Sequence, residues 1–368
     1  VCTTDGLKLY SRWTPKTFNL KYNAFRPNDS AGKVTDGTVG NLPTPNPQTL
    51  KFGVASSVSS TAPTLTGYTF SGWSKTSGGT KAYDKGQALS ASTVSQMYKD
   101  CGGETYNIYT VWTPHKFYVE FDDNGKTSGT MANQQFTYDV YQKLTKNTYV
   151  NTRTLTYNKN DTTASPATID RTKDTKDLTF KGWTATAEGV ATSEPTVRYS
   201  DEQEIKNPNG YSGEDSTTLY AKWQGVAVTL PTPTRTGYVF AGWYDAANGG
   251  NKIGNGGSSY IITGDKTIYA HWTAIKYIVR FNANTGSGTM TDQEFVYDVA
   301  QNLKPNEFTK SGYEFKGWNT KADGSGTAYA DKALVKNLAS TNGAIINLYA
   351  QWSKSFDVVF WYFNGTTQ

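Results

Sequence analysis

The sequence predicts a mostly β protein, an elongated array of small tandem sheet units, and three observations predict it. Two short motifs recur along the whole length. Aromatic residues make up 14% of the chain, with 25 Tyr and 10 Trp beside 35 Gly. Apolar residues alternate with polar ones over short runs, the signature of strands with one buried face. Self-similarity ranks first, because each copy of a repeat must be one structural unit. A chain this aromatic is not a disordered one, and its Gly, Thr, Ser and Asn supply strands and turns rather than helices.

The first motif is written most clearly as Gly312-Tyr313-Glu314-Phe315-Lys316-Gly317-Trp318. It recurs as Gly237-Tyr238-Val239-Phe240-Ala241-Gly242-Trp243, as Gly67-Tyr68-Thr69-Phe70-Ser71-Gly72-Trp73, and more loosely as Leu178-Thr179-Phe180-Lys181-Gly182-Trp183. The second motif is Leu348-Tyr349-Ala350-Gln351-Trp352, with copies ending at Trp272, Trp223, Trp112 and Trp13. Strand pleating puts its Leu, Ala and Trp on one face and its Tyr and fourth residue on the other. The middle residue is always small (Ser11, Thr110, Ala221, Ala270, Ala350), which leaves a groove between large neighbours. The Trp of the first motif is expected in or beside that groove, and the Gly before it allows a bulge or a close strand approach. Trp13, Trp73, Trp112, Trp183, Trp223, Trp243, Trp272, Trp318 and Trp352 are therefore expected in the core. Tyr109, Tyr220, Tyr269 and Tyr349 fall on the outer face as candidate partner contacts, since Tyr brings area at little entropic cost.

Taken in order, residues 1–14 hold only a closing motif and read as the end of a preceding repeat. The first repeat, 15–114, opens with the alternating Thr17-Phe18-Asn19-Leu20-Lys21-Tyr22 and continues into a stretch rich in Gly, Pro, Asn and Asp between Phe25 and Lys51. That composition predicts a long exposed loop. Leu42-Pro43-Thr44-Pro45 inside it lacks the apolar tail of a sorting signal and reads as a Pro-stiffened turn. The second repeat, 115–223, opens with Phe117-Tyr118-Val119-Glu120-Phe121, and its Asn124-Gly125 reads as a hairpin turn. The third, 224–274, enters at Val226 with no opening hairpin; at about fifty residues it is expected to pack on the second. The fourth, 275–353, repeats the plan of the second, and 354–368 read as the opening strand of a following repeat. Cys2 and Cys101 each stand eleven residues before a closing Trp. Equivalent points of neighbouring repeats lie too far apart to share a disulfide.

Tyr-x-Val-x-Phe, then Gly-Tyr-x-Phe-x-Gly-Trp, then a Gly-containing hairpin, then Leu-Tyr-Ala-x-Trp resembles the internalin B-type B repeat, also called the Listeria/Bacteroides repeat, found in tandem on bacterial surface proteins. The resemblance covers nearly the whole chain. It implies a small β-grasp-like unit with at most a short helix, acting as a spacer or adhesin module outside the cell. Three places depart from the pattern: the third repeat is short, Asp177-Leu178 stands where the second would carry Gly-Tyr, and Asn28 to Val58 has no evident counterpart.

Other function classes find little support in the residues. Net charge is +5, with Lys and Arg scattered among Asp and Glu, unlike a nucleic-acid binder, which gathers them into a stripe. No apolar run is long enough to span a bilayer. His115 and His271 stand apart, so neither makes a base or a metal ligand; Asp122-Asp123 and Glu202 with Glu204 read as turn or solvated positions, and Gly286-Ser287-Gly288 and Gly324-Ser325-Gly326 as hairpin turns. The expectation is a monomeric, non-enzymatic segment of a bacterial cell-surface protein, free of cofactors and metals. It presents loops (about 28–48, 74–107, 184–217) to a host protein or glycoprotein such as a mucin or an immunoglobulin. The alternatives are a plain stalk and a glycan-binding module, the latter requiring a row of exposed aromatic rings.

Overall fold

Every second residue of Thr17–Asn23 is buried: Phe18, Leu20 and Tyr22 face inward, and the polar residues between them face out. This opening strand pairs antiparallel with Gln48–Lys51 on one side and parallel with Thr105–Pro114, the closing strand, on the other. The closing strand in turn pairs antiparallel with Tyr68–Ser74, which carries the Gly-Trp motif. In the computed structural model, which describes residues 10–35, 37–161, 166–210 and 215–356, four sheets share this order of hairpin partner, opening strand, closing strand and tryptophan strand. The family resemblance implied a mostly β fold of small repeated units, and the chain has it.

A two-stranded ribbon completes each repeat: Ser56–Ser57 with Ala88–Leu89, Gln142–Lys143 with Glu204–Ile205, Val226–Thr229 with Ser259–Ile262, and Gln301–Asn302 with Leu334–Val335. Ribbon residues and sheet residues close on one core. In the fourth repeat Leu303 and Val335 join Tyr277, Val279, Phe295, Trp318, Leu348 and Ala350. The first repeat adds an α-helix, Ala91–Asp100, capped by the Ser90 hydroxyl, which accepts from the Thr93 amide at 3.1 Å. Val94 and Met97 turn its apolar side into the core.

The third repeat does have an opening hairpin, and the chain supplies it early. Thr152–Asn158 and Lys173–Asp177 pair antiparallel, and Thr152–Asn158 runs parallel to Lys266–Ala274, the closing strand of the third repeat. Leu155 and Tyr157 are buried beside Trp243 and Ile268. Residues 152–178 therefore belong to the third repeat, not the second, and the boundaries 115–223 and 224–274 are corrected. The chain begins the second repeat, begins the third, returns to finish the second, and then finishes the third. Two compact units result: Val1–Asn151 with Thr179–Gln224, and Thr152–Leu178 with Gly225–Gln368. The physical reason is register: a strand that alternates locally can pair with any closing strand whose core it fits.

Two smaller expectations also change. Asn124-Gly125 is not a two-residue hairpin; Lys116–Asp122 pairs with Gln134–Thr137 across a long loop. Asn124 sits there at φ 48° and sends its amide to the Ala221 carbonyl at 3.0 Å. Trp13 is 86% exposed, its indole donating only to the Ser11 hydroxyl at 2.9 Å. No strand pairs with its segment among the described residues, so its indole lacks the loop carbonyl that the other closing tryptophans reach. Cys2 and the strand expected beyond Phe356 lie outside the described residues, and Cys101 carries a free thiol.

Candidate functional site

The groove and the wedge meet in register. Trp73 lies opposite Thr110, Trp183 opposite Ala221, Trp243 opposite Ala270 and Trp318 opposite Ala350. All four indoles are 0% exposed. The Gly before each Trp sits at a bulge with φ between 131° and 142°. A Cβ there would stand 2.5 to 2.9 Å from the carbonyl oxygen of Tyr83, Tyr199, Gly254 or Tyr329, so only Gly fits. The Phe of the same motif stands between two indoles: Phe315 lies 5.0 Å from Trp318 and 5.7 Å from Trp352, ring centre to ring centre.

The closing tryptophans act differently. Trp112, Trp223, Trp272 and Trp352 donate their indole N–H to the carbonyls of Phe25, Asp123, Lys159 and Ala283, in the loop that leaves the opening strand, at 2.7 to 2.9 Å. Trp223 is buried, whereas Trp112, Trp272 and Trp352 are half-buried. They staple the sheet's end rather than fill its centre. The variable residue before three of them also has a task. Lys222 pairs with Glu188, Gln351 donates to the Lys321 carbonyl, and His271 stacks on Tyr244 at 3.9 Å with its Nε2 at the Ala246 carbonyl.

A second recurring constellation joins repeats, and sequence reading missed it. Tyr68 donates its hydroxyl to Asp139 Oδ2 at 3.0 Å, and Tyr238 does the same to Asp298 Oδ2 at 2.8 Å. The rings of Tyr138 and Tyr297 lie edge to face with those tyrosines at 5.4 and 5.8 Å. A Cβ on Gly67 or Gly237 would come 2.3 or 2.2 Å from the Tyr138 or Tyr297 ring. Asp139 and Asp298 adopt the left-handed conformation, φ 58° and 64°, and are clasped by Asn207 and Asn337. Each Asn accepts from the Asp amide and donates to its Oδ1. The Asn337 amide and then the Tyr238 hydroxyl hold the Asp298 carboxyl below its usual value. Between the first and second repeats Lys206 adds an ion pair to buried Asp29, 2.5 Å. The signal for this latch was the Tyr-Asp after the opening hairpins of the second and fourth repeats, Tyr138-Asp139 and Tyr297-Asp298.

The candidate contacts Tyr109, Tyr220, Tyr269 and Tyr349 are half-buried, not exposed. They stand on the closing strand, which has a neighbour on both sides. His115 sits in the first latch, its Nε2 3.0 Å from the Thr69 hydroxyl. A cleft of about 420 Å³ lies in the first repeat between Pro43–Pro45 and Ser57–Ser60. Its Tyr22 hydroxyl already donates to Gln48 and accepts from the Ser59 amide. That cleft brings together no base and nucleophile. Among the described residues no group of three or more His, Cys, Asp or Glu is placed to hold a metal ion, and no helix is long and apolar enough to cross a membrane.

Tandem β repeats, each wedged by a buried Trp, with a Tyr–Asp pair latching the first to the second and the third to the fourth, define a modular repeat protein. The chain belongs to the Listeria-Bacteroides repeat domain family, whose pattern matches residues 29–95, 207–271 and 277–351. The first match takes in most of Asn28 to Val58, the stretch left without a counterpart by the sequence motifs alone. Internalin H of Listeria monocytogenes is 32% identical over 179 residues, 48% of this chain and 29% of that protein. A Gly-rich membrane protein, so described, of Evansella cellulosilytica is 34% identical over 145 residues, 37% of this chain and 16% of its own length. A second protein of that organism, described as a membrane protein, is 27% identical over 139 residues, 36% of this chain and 19% of its own. The chain thus spans less than a third of each relative.

Proposed function

We propose that this chain is a tension-bearing repeat segment of a bacterial cell-surface protein, holding its irregular inserts out as contact surfaces for host proteins or glycoproteins such as mucins or immunoglobulins. One observation carries the mechanical part: in every repeat the opening and closing strands are parallel neighbours, as in Asn19 to Asn23 beside Thr105 to Tyr109 and Ile278 to Asn282 beside Ile345 to Tyr349. Chain enters at the start of one and leaves at the end of the other. Pulling the two ends apart slides the strands along each other and loads all their hydrogen bonds together, instead of opening them one at a time.

The binding part is supported by the exposed insert of the first repeat and by relatives described as an internalin and as membrane proteins. It needs no catalysis, and the chemistry of the sites above offers none. Stretching single molecules of the chain tests the first part: abrupt rupture events, each at a force well above that of peeling a hairpin, support it, and smooth low-force extension overturns it. Pull-down from mucus and serum tests the second, using the chain and the fourth repeat alone. Capture by the chain only places the contact in the inserts, capture by both places it on the shared sheet, and capture by neither leaves a spacer.

A further inference from the structure

We propose that the exposed Gly312–Tyr313 face of the fourth repeat is a docking socket for one further repeat of the same fold, joined in the same chain, and that it takes that repeat's Tyr-Asp turn. Two occupied sockets in this chain define what the third one lacks. Gly67 and Gly237 are buried, at φ 76° and 77°, each under the ring of the next repeat's Tyr138 or Tyr297. Gly312 has the same backbone, φ 74°, and among the described residues nothing lies within 4 Å of a Cβ added there. Tyr68 is 8% exposed in its socket, whereas Tyr313 is 40% exposed.

The receiving half is otherwise complete. Tyr68, Tyr238 and Tyr313 each donate their amide to the carbonyl three residues back, of Leu65, Arg235 and Lys310, all at 3.1 Å. Arg235 lies 3.8 Å over the Tyr238 ring and Lys310 4.2 Å over the Tyr313 ring. The chain also leaves the same way: Ser355 donates its amide to the Gly312 carbonyl at 2.9 Å, as His115 does to Gly67 and Ile275 to Gly237. Because the backbone holds its conformation with the socket empty, docking orders little that is not already ordered.

The occupant is set by chemistry. It needs an aromatic ring flat enough to lie on a glycine, followed by an Asp in the left-handed conformation whose carboxylate reaches the Tyr313 hydroxyl, with an Asn behind to hold it. Within this chain both such turns, Tyr138-Asp139 and Tyr297-Asp298, are already engaged, which argues against a second copy of the chain. Phe356-Asp357-Val358-Val359-Phe360 continues from the exit point with the alternation of Phe117-Tyr118-Val119-Glu120-Phe121.

The test extends the full chain after Ser355 with a copy of residues 276–354 and measures hydroxyl-radical modification of Tyr313 by mass spectrometry. The expected result is a several-fold drop in Tyr313 modification, toward the rate of Tyr238. Asp298→Ala made only in the appended copy, or Gly312→Ala, restores the rate while the appended repeat keeps its own tryptophans protected. Unchanged Tyr313 modification beside a protected appended repeat overturns the proposal. So does protection of Tyr313 in the unextended chain that grows with protein concentration, which assigns the face to a second copy. Gly237→Ala in the unextended chain is the independent check: Tyr238 and Tyr297 modification must rise, and no rise removes the basis of the socket.

Discussion

Tyr238 donates its hydroxyl hydrogen to Asp298 Oδ2 at 2.8 Å, across the boundary between the third and fourth repeats, and Tyr68 and Asp139 repeat the bond at the boundary between the first and second. The two latches are not equally deep. The Asp139 side chain keeps 7% of its surface in solvent and the Asp298 side chain 24%. Removing one partner of a buried hydrogen-bonded pair costs about 1 to 3 kcal/mol, more where the orphan is charged and buried. Asp139→Ala is therefore expected to destabilise its junction by about 2 to 3 kcal/mol and Asp298→Ala by about 1 kcal/mol, read from urea unfolding of the whole chain.

The second latch should weaken at both ends of the pH scale. Asp298 is held below its ordinary value of 3.8, so its contribution is fully present above that value and is lost as pH falls through the lower folded value. Burial raises Tyr238 above 10.0, so its contribution is present below 10.0 and is lost as pH climbs through the higher folded value. Urea midpoints taken across this range are expected to fall at both extremes. Asp298→Asn should flatten the acid side and leave the alkaline side in place.

The four wedges differ in one atom. Trp243 donates its indole N–H to the Pro231 carbonyl at 2.8 Å, whereas those of Trp73, Trp183 and Trp318 are buried without a partner. Truncation of any of these residues to Ala should cost about 3 to 5 kcal/mol. Replacement by Phe separates them. Trp318→Phe gives up area but removes an unsatisfied donor, and Trp243→Phe gives up area and strands a carbonyl, so the second should be costlier by about 1 to 2 kcal/mol in thermal unfolding.

Gly317→Ala is expected to destabilise the fourth repeat by at least about 2 kcal/mol. Its φ of 131° is one that L side chains rarely adopt, and the new Cβ would stand 2.6 Å from the Tyr329 carbonyl oxygen. Gly264→Ala makes the comparison, because its φ is not in the left-handed range and nothing lies within 4 Å of a Cβ there. Calorimetric melting should show a clear loss for the first and a small one for the second.

The interleaving of the second and third repeats has a length signature. With the third repeat folded, Thr179 to Gln224 forms a loop whose ends are both anchored in it, so rupture of the second repeat frees only residues 115–151. At about 3.5 Å per residue that event should release about 130 Å, and rupture of the third, 152–274, about 430 Å. Repeats laid end to end at 115–223 and 224–274 would instead release about 380 Å and 180 Å. Contour-length increments in single-molecule stretching decide between the two.

Some of this was legible in local pattern. Leu155-Thr156-Tyr157-Asn158 carries the same cue as Leu20-Lys21-Tyr22-Asn23, and Tyr157 stands 5.2 Å from Trp243 as Tyr22 stands 4.8 Å from Trp73. The cue was present, but alternation says that a strand has a buried face and not which sheet receives it. Trp13 marks the opposite case. It has the full closing motif around it and is still exposed, because a motif supplies only one side of a contact.

The amino-acid order by itself determined the repeat plan, the strands, and the facing of each wedge Trp to a small residue, because a period of two and a recurring spacing are properties of neighbouring residues. Only the tertiary structure decided that 152–178 serve the third repeat and that Tyr68 and Tyr238 find Asp139 and Asp298, partners 71 and 60 residues away. Those choices depend on which buried faces fit together once several strands have met, and packing of that kind has no local signature.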